Sequence, residues 1–284
     1  MTRKILLVTL CLVVAVAGYM VFSVTGTKSA SVATAAGKTY TGTVYVAGEG
    51  GHFAQVAVTI DPSSTDSPIK VTDLGRVEIG NKTSHPTHDA RVDSGDSGTL
   101  FWSTIVVDAA GMAHVGKSDL KTGNKLADVS VALDPRTKGP VPIYCASGQT
   151  KTSFIPVMMG TEGYIDVFDK KTLEKKHRLF ISDLGYKVGT YKFIHGTNSP
   201  DMKHFVIVIN LTNPDGKFAG KSDVILVDMK DLENGKLKQI KKVTITGDPA
   251  KTITFRQTFS SDGKLFFSPA LTECMFWTPR PSSC

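Results

Sequence analysis

Two histidines three residues apart are the first candidates for metal chemistry in this sequence. His85 and His88 lie on either side of Pro86 in the segment Thr83–Asp93. In an extended loop this spacing lets both imidazoles face one metal ion, and imidazole is a common ligand of zinc and copper. His85 and His88 are therefore the predicted metal ligands. The alternative is that His88 and Asp89 only bond backbone groups in a turn.

A third histidine, His195, occupies a place in its repeat that is equivalent to that of the Thr83–Asp93 segment. His195 precedes Asp201, and Asp93 and Asp201 are 108 residues apart, which is two intervals of 54. Arginines near these segments can face an anionic group, although a surface ion pair is the alternative for Arg256. The predicted cofactor-binding residues are His88, Arg91, His195 and Arg256.

Cys145 lies in a loop of small residues and is a candidate free thiol or ligand. The sequence contains no CxxC and no CxxCH, which excludes covalent c-type haem attachment. It also lacks GxGxxG after a strand, a P-loop, GxSxG and HExxH. No complete catalytic constellation is present. Whether the protein is an enzyme stays open, and an enzyme built on these residues would be an oxidoreductase.

The elements that position these residues are predicted to be strands. Beyond residue 38, short segments rich in β-branched and aromatic residues are bounded by Gly, Asp, Asn or Pro. They are Thr41–Ala47, Ala54–Ile60, Leu100–Val107, Tyr164–Phe168, Phe205–Ile209, Val224–Val227 and Lys241–Ile245. The most helix-like stretch, Lys170–Arg178, has no apolar face and is interpreted as a turn between strands. The fold class is all-β.

Two sequence markers recur at nearly constant spacing. In the first, a strand ends in Asp at positions 61, 119, 169 and 228, separated by 58, 50 and 59 residues. In the second, a reversal of the form S-x-D-x-K precedes a strand, and its Asp201 and Asp262 are 61 residues apart. Asp and Gly suit tight reversals because they tolerate left-handed backbone angles.

A repeat of roughly 50–60 residues with about four strands is typical of one β-propeller blade. The sequence thus predicts a partial propeller of about four four-stranded blades over residues 38–270, with a sandwich of hairpins as the alternative. In that arrangement Thr83–Arg91 is a connection from an outer strand to the next inner strand, where propellers bind ligands. Residues 271–284 abandon the pattern and are predicted to be an irregular tail, as in a truncated or frame-shifted reading of a longer gene.

Residues 1–37 are predicted to direct export. Arg3 and Lys4 precede an uncharged apolar run at residues 5–24, which matches the roughly 20 residues of a membrane-spanning helix. A small-residue stretch follows, in which Ala33-Thr34-Ala35 has the form of a cleavage site. A transmembrane anchor and a cleaved signal peptide both remain open. Either places residues 38–284 outside the cytoplasm, at the cell membrane facing the periplasm or, after cleavage near Ala35, in the periplasm.

The charge pattern gives no reason to expect a nucleic-acid partner. Lys and Arg number 33 against 26 Asp and Glu, for a net charge of +7. No basic run alternates with aromatic residues. The expected partners are the membrane, through residues 5–24, and a periplasmic protein or small ligand.

The Asp-x-x-Thr turns, the S-P-D-x-K reversal and Tyr164-Ile-Asp-Val-Phe-Asp169 resemble periplasmic β-propellers of the YVTN and cytochrome d1-like group. The resemblance covers about residues 40–270 and concerns the repeat, not a catalytic motif. Members of that group have seven or eight blades, so it implies that this chain holds part of a ring. It also implies haem d1 or copper as cofactors held by histidines such as His88 and His195.

The sequence is compatible with two functions. The first is an exported, membrane-tethered, non-catalytic binding or scaffold module. The second is a periplasmic redox protein whose propeller funnel holds haem d1, copper or another cofactor.

Overall fold

The computed structural model describes residues 38–48, 50–137, 143–254, 256–269 and 274–277. The predicted signal or anchor at residues 5–24, the site at Ala33–Ala35 and most of the predicted tail lie outside the described residues. Within the ranges that are described, no helix is long and apolar enough to cross a bilayer.

The described residues contain many strands and almost no helix, as predicted. The strands are β1 (Tyr40–Gly48), β2 (His52–Ile60), β3 (Ile69–Glu78), β4 (Gly80–Asn81), β5 (His85–Val92), β6 (Thr99–Thr104), β7 (Met112–Asp119), β8 (Lys125–Ala132), β9 (Ile143–Gln149), β10 (Ser153–Met159), β11 (Tyr164–Asp169), β12 (Lys175–Phe180), β13 (Tyr191–Asn198), β14 (His204–Thr212), β15 (Phe218–Asp228), β16 (Gln239–Thr246), β17 (Thr258–Phe259), β18 (Phe266–Pro269) and β19 (Cys274–Trp277). Two short helices interrupt them, a 3-10 turn at Ile181–Leu184 and α1 (Met229–Glu233).

The strands form five sheets in chain order: β1-β2-β3, β4-β5-β6-β7-β8, β9-β10-β11-β12, β13-β14-β15-β16 and β17-β18-β19. From β4 onward each paired strand runs antiparallel to its neighbour. The prediction of four blades with four strands each therefore differs from the structure in the number of sheets and in the number of strands in three of them. Two sheets have four strands, one gains the short β4, and two have three. Residues 274–277, which the sequence places in an irregular tail, form β19 and pair with β18.

Contacts divide the chain into two compact units. The first comprises residues 1–41 and 59–70, and its described part holds the connection from β2 to β3. There the Asp61 carboxylate accepts hydrogen bonds from the backbone N–H and the hydroxyl of Ser63, and these bonds lower its pKa. The second unit comprises residues 42–58 and 71–284 and contains all the candidate site residues.

The first sequence marker is the turn between the last two strands of a sheet. Asp119, Asp169 and Asp228 end β7, β11 and β15. Each carboxylate accepts backbone N–H bonds from residues two or three positions later in the chain. Such short-range bonds fix the reversal locally. The turn at residues 170–174 is therefore not helical, but the rest of the predicted turn Lys170–Arg178 belongs to β12.

The second marker is the turn between the first and second strands. The Ser199 hydroxyl donates to Asp201 at 2.6 Å and accepts from the backbone N–H of His204 at 3.1 Å. Ser260 repeats both bonds with Asp262 and Leu265, at 2.6 and 3.0 Å. The same sequence thus builds the same turn in β13–β14 and in β17–β18.

Apolar cores separate successive sheets of the second unit, and single strands contribute to two cores at once. Phe205, Ile207 and Ile209 of β14 pack with β10 and β11 of the preceding sheet. Val206 and Val208, on the opposite face of the same strand, pack with Phe266 of the following sheet. Burial on both faces explains why Phe205–Ile209 is a continuous apolar run. Sequential antiparallel sheets covered on both faces are the arrangement of propeller blades.

Candidate functional site

Strands β5, β9 and β13, which belong to three consecutive sheets, lie side by side in the second unit. The guanidinium of Arg91 on β5 donates to the carbonyl oxygens of Ala146 and Ser147 on β9, at 3.0 and 2.5 Å. On the other side of β9, the backbone N–H of Gln149 donates to the side chain of Asn198 on β13 at 3.0 Å. These bonds fix β5, β9 and β13 as neighbouring inner strands.

One potential ligand from each inner strand meets at a single place. Asp89 of β5, Cys145 of β9 and His195 of β13 each offer one donor atom, and the three atoms lie within 4.8 Å of one another. All three side chains are buried. We call these three residues, together with Arg91, Arg256 and Gln257, the inner cluster.

His195 is held by Gln257 as a neutral imidazole. Its Nδ1 lies 3.1 Å from the Gln257 side-chain oxygen, an acceptor, so Nδ1 carries the proton. Its Nε2 is buried and has no hydrogen-bond partner among the described residues. Burial lowers the pKa of His195 to about 4, while Asp89 opposes and Arg256 adds to this effect. The ring therefore presents an unused nitrogen lone pair at neutral pH.

Charge near His195 is divided between one carboxylate and two arginines. Asp89 lies 3.5 Å from the guanidinium of Arg256, whose side chain is 62% exposed. Burial lowers the pKa of Arg91, and Asp89 opposes that shift. The Cys145 thiol has its pKa raised, first by burial and then by Asp89. Without a ligand, the thiol and the imidazole are both uncharged at neutral pH.

A cavity of about 280 Å³ adjoins the inner cluster. Its walls include Val46, Phe53, Val92, Leu100, Asp89 and Arg256. One side is thus apolar and the other carries a paired carboxylate and guanidinium. This volume is just below the range of about 300–1,000 Å³ that is usual for pockets holding drug-sized molecules, so the cavity suits a smaller ligand.

A second group of potential ligands lies within the β4–β8 sheet and comprises His85, His114 and Asp128. The two imidazoles stack with ring centroids 3.6 Å apart. Asp128 bridges them, at 3.1 Å from His85 Nε2 and 2.8 Å from His114 Nδ1. Burial acts to raise the pKa of Asp128, but hydrogen bonds from His114, Lys125 and His85 outweigh it, so the pKa is lowered. We call His85, His114 and Asp128 the histidine pair site.

The structure brings some of the predicted site residues together and separates others. Arg91, His195 and Arg256 all belong to the inner cluster. His85 is grouped with His114 and Asp128, and the groups of potential ligands found among the described residues do not include His88. The segment containing both histidines is also not a connecting loop, because residues 85–92 are the strand β5 itself.

Four participants were not predicted from the sequence. Asp89 is predicted only as part of a turn, and Gln257, His114 and Asp128 belong to no recognised motif. Strand pairing is the signal that identifies Asp128, since Gly116 faces Asp128 and His114 faces Ser130 across β7 and β8. His114 and Asp128 are thus diagonal neighbours on one face.

No protein-family model and no curated protein matches this sequence. Solved structures with similarity include hydrazine synthase of Kuenenia stuttgartiensis, at 14% identity and a TM-score of 0.47, covering 80% of this chain and 54% of that one. The C-terminal WD40 domain of Sif2 is similar at 11% identity and a TM-score of 0.47, covering 81% and 55%. The β-propeller domain of Myceliophteria thermophila Cps50 (Swd1) is similar at 10% identity and a TM-score of 0.46, covering 81% of this chain and 67% of that one.

This chain spans about half the length of the first two of these structures. Identities and TM-scores at this level add nothing about activity or ligands. The described residues are all-β, and the structural neighbours include β-propeller domains.

Proposed function

We propose that this protein is a non-catalytic binding module of the β-propeller type that holds a small carboxylate ligand beside Arg256. Export, a membrane tether at residues 5–24 and a periplasmic location are parts of the same proposal, as is the narrower resemblance to the YVTN and cytochrome d1-like group. The observation that supports binding most strongly is the cavity that joins an apolar wall to the Asp89–Arg256 pair.

The chemistry of the two walls defines the ligand class. Arg256 is mostly exposed, and one of its guanidinium nitrogens lies 3.5 Å from an oxygen of Asp89. The other N–H groups of the guanidinium remain as donors for a second partner. A guanidinium binds a carboxylate through two parallel hydrogen bonds. Because Asp89 already offsets part of this charge, a monoanion suits the site better than a dianion. The side chains of Phe53 and Leu100 then contact a short alkyl or aryl group.

A second candidate function is that of a periplasmic redox protein, and the grouping of Asp89, Cys145 and His195 favours it. The Nε2 atom of His195, which is buried without a hydrogen-bond partner among the described residues, is suited to bind a metal ion. The cavity of about 280 Å³ is small for a macrocycle such as haem d1, so copper is the better fit of the two cofactors. Copper held there would supply one-electron redox chemistry, while Gln257 orients the imidazole that binds it.

Calorimetric titration with hexanoate and phenylacetate tests the binding proposal. We expect at least one of these carboxylates to bind, and its neutral amide analogue to bind at least about tenfold more weakly because it lacks the charge that Arg256 recognises. Replacing Arg256 by Gln should remove this difference. Arg136→Gln, which removes another exposed guanidinium, should leave it intact.

Equal binding of acid and amide would overturn the proposed ligand class. So would an Arg256→Gln variant that retains the preference for the acid, or an absence of binding by both carboxylates.

A further inference from the structure

We propose that Asp89, Cys145 and His195 form a binding site for one divalent transition-metal ion of the zinc type. The three residues supply a carboxylate oxygen, a sulfur and an imidazole nitrogen, which are the donor types found in protein zinc sites. They come from β5, β9 and β13, so the site is held by three separate sheets rather than by one loop. Ligands on rigid strands are positioned before the ion arrives.

The imidazole has the environment of a metal ligand. Histidines that bind metals usually donate their other ring N–H to a neighbouring oxygen, which fixes the tautomer and the ring orientation. Gln257 accepts that bond from Nδ1 of His195. Nε2 is left without a partner in a side chain that is only 5% exposed. An unpaired buried acceptor is costly, and coordination of an ion would satisfy it.

The spacing of the donor atoms permits coordination after a small adjustment. The three atoms lie within 4.8 Å of one another. In a tetrahedral site with zinc-to-ligand distances near 2.0–2.3 Å, neighbouring donors are about 3.5 Å apart. No pair therefore has to close by more than about 1.3 Å, which side-chain rotation can provide. A fourth position is left for a water molecule or a small ligand.

Binding also rearranges charge in the inner cluster. The S–H bond of Cys145 breaks, a bond from sulfur to the ion forms, and the proton passes to the solvent. The positive charge of Arg256 favours the thiolate, whereas burial and the charge of Asp89 oppose it until the ion neutralises Asp89. Asp89 turns from Arg256, at 3.5 Å, to the ion. Arg256 is largely exposed, and water can replace its lost partner.

The histidine pair site is the weaker candidate for a metal. Both nitrogens of His114 lie within hydrogen-bond distance of carboxylates, Asp128 and Asp108, at 2.8 and 3.1 Å. Those of His85 contact Ser84 and Asp128. Every ring nitrogen therefore has a partner without an ion. The hydrogen bonds account for this group by themselves.

Cobalt titration of the full chain tests the proposal. Cys11, Cys274 and Cys284 are first replaced by Ser, so that Cys145 is the only thiol. We expect one equivalent of Co²⁺ to bind with a near-ultraviolet band from thiolate-to-cobalt charge transfer. Cys145→Ser should abolish the band. His195→Gln should weaken cobalt binding at least about tenfold, whereas His85→Gln, which alters only the histidine pair site, should leave it unchanged.

Cobalt that binds without a thiolate band, or a failure of cobalt to bind, would overturn the proposed site. If Cys145→Ser does not fold by circular dichroism, the comparison of His195→Gln with His85→Gln decides, because equal affinities in these two variants contradict the proposal. Arg256→Gln distinguishes this site from the carboxylate site: it should remove the preference for the acid over its amide, while one equivalent of cobalt still binds with the thiolate band.

Discussion

Replacing Arg178 by Met should lower the free energy of unfolding by about 3–5 kcal/mol, because it leaves a buried carboxylate without its counter-charge. Arg178 holds Asp166 through two bonds of 2.8 and 2.7 Å, and the Asp166 side chain is fully buried. The hydroxyl of Tyr144 also donates to Asp166, at 2.6 Å. Burial and Asp166 raise the pKa of Tyr144, so its hydroxyl stays protonated. The neutral hydroxyl can donate a hydrogen bond to Asp166 but cannot neutralise the negative charge of that carboxylate.

Urea unfolding of three variants measures this effect. Arg136→Met removes an exposed pair with Asp134 and should cost about 1 kcal/mol or less. Adding Asp166→Asn to Arg178→Met should recover part of the lost stability, since the unpaired charge disappears and an oxygen remains to accept from Tyr144. Equal losses for Arg178→Met and Arg136→Met would contradict the buried pair.

Gly116→Ala should destabilise the protein by about 1–3 kcal/mol or more, as expected for overpacking of a buried core. A Cβ atom at Gly116 would lie 2.0 Å from Cζ2 of Trp102, its partner across β6 and β7. Trp102 is fully buried, and its indole N–H donates to the hydroxyl of Ser118 at 3.1 Å. The indole must move to admit the methyl group, which breaks this bond.

Gly42→Ala is the matched control. A Cβ atom at Gly42 meets nothing within 4 Å, so its effect should stay within about 0.5 kcal/mol. Thermal unfolding followed by tryptophan fluorescence compares the two variants. A Gly116→Ala protein as stable as Gly42→Ala would show that Trp102 does not pack on this glycine.

Features of the fold that depend on neighbouring residues were predictable from the sequence. The turns at Asp119, Asp169 and Asp228 are made by bonds to residues two or three positions away. The S-x-D-x-K reversals are equally local. The number of strands in each sheet was less predictable, because it depends on which strands pair.

The candidate site was predictable only in part, and one irregularity explains why Asp89, and not His88, lies in the described group of potential ligands. Across β5 and β6, Thr87 pairs with Thr104 and Asp89 with Ser103, so His88 is an extra residue in the pairing. Such a bulge shifts the alternation of faces by one residue. Asp89 rather than His88 therefore joins His195. Cys145 was recognisable as a candidate, but its partners lie 56 and 50 residues away on other sheets, and no local pattern identifies them.

Three inner strands enclose Asp89, Cys145 and His195 in one buried cluster, and the titration of His195 tests this arrangement most directly. Burial lowers the pKa of this histidine to about 4 from an ordinary value of 6.5. Between these two values the unfolded chain binds a proton that the folded chain does not. Stability must then fall as pH is lowered through this range, by up to about 3 kcal/mol.

Histidine-ring NMR spectra of the chelator-treated protein, with His195→Gln to assign the signal, provide the measurement. We expect His195 to stay neutral to below pH 5 and to titrate near pH 4. A His195 signal that titrates near pH 6.5 would show an imidazole exposed to water and would contradict the buried cluster.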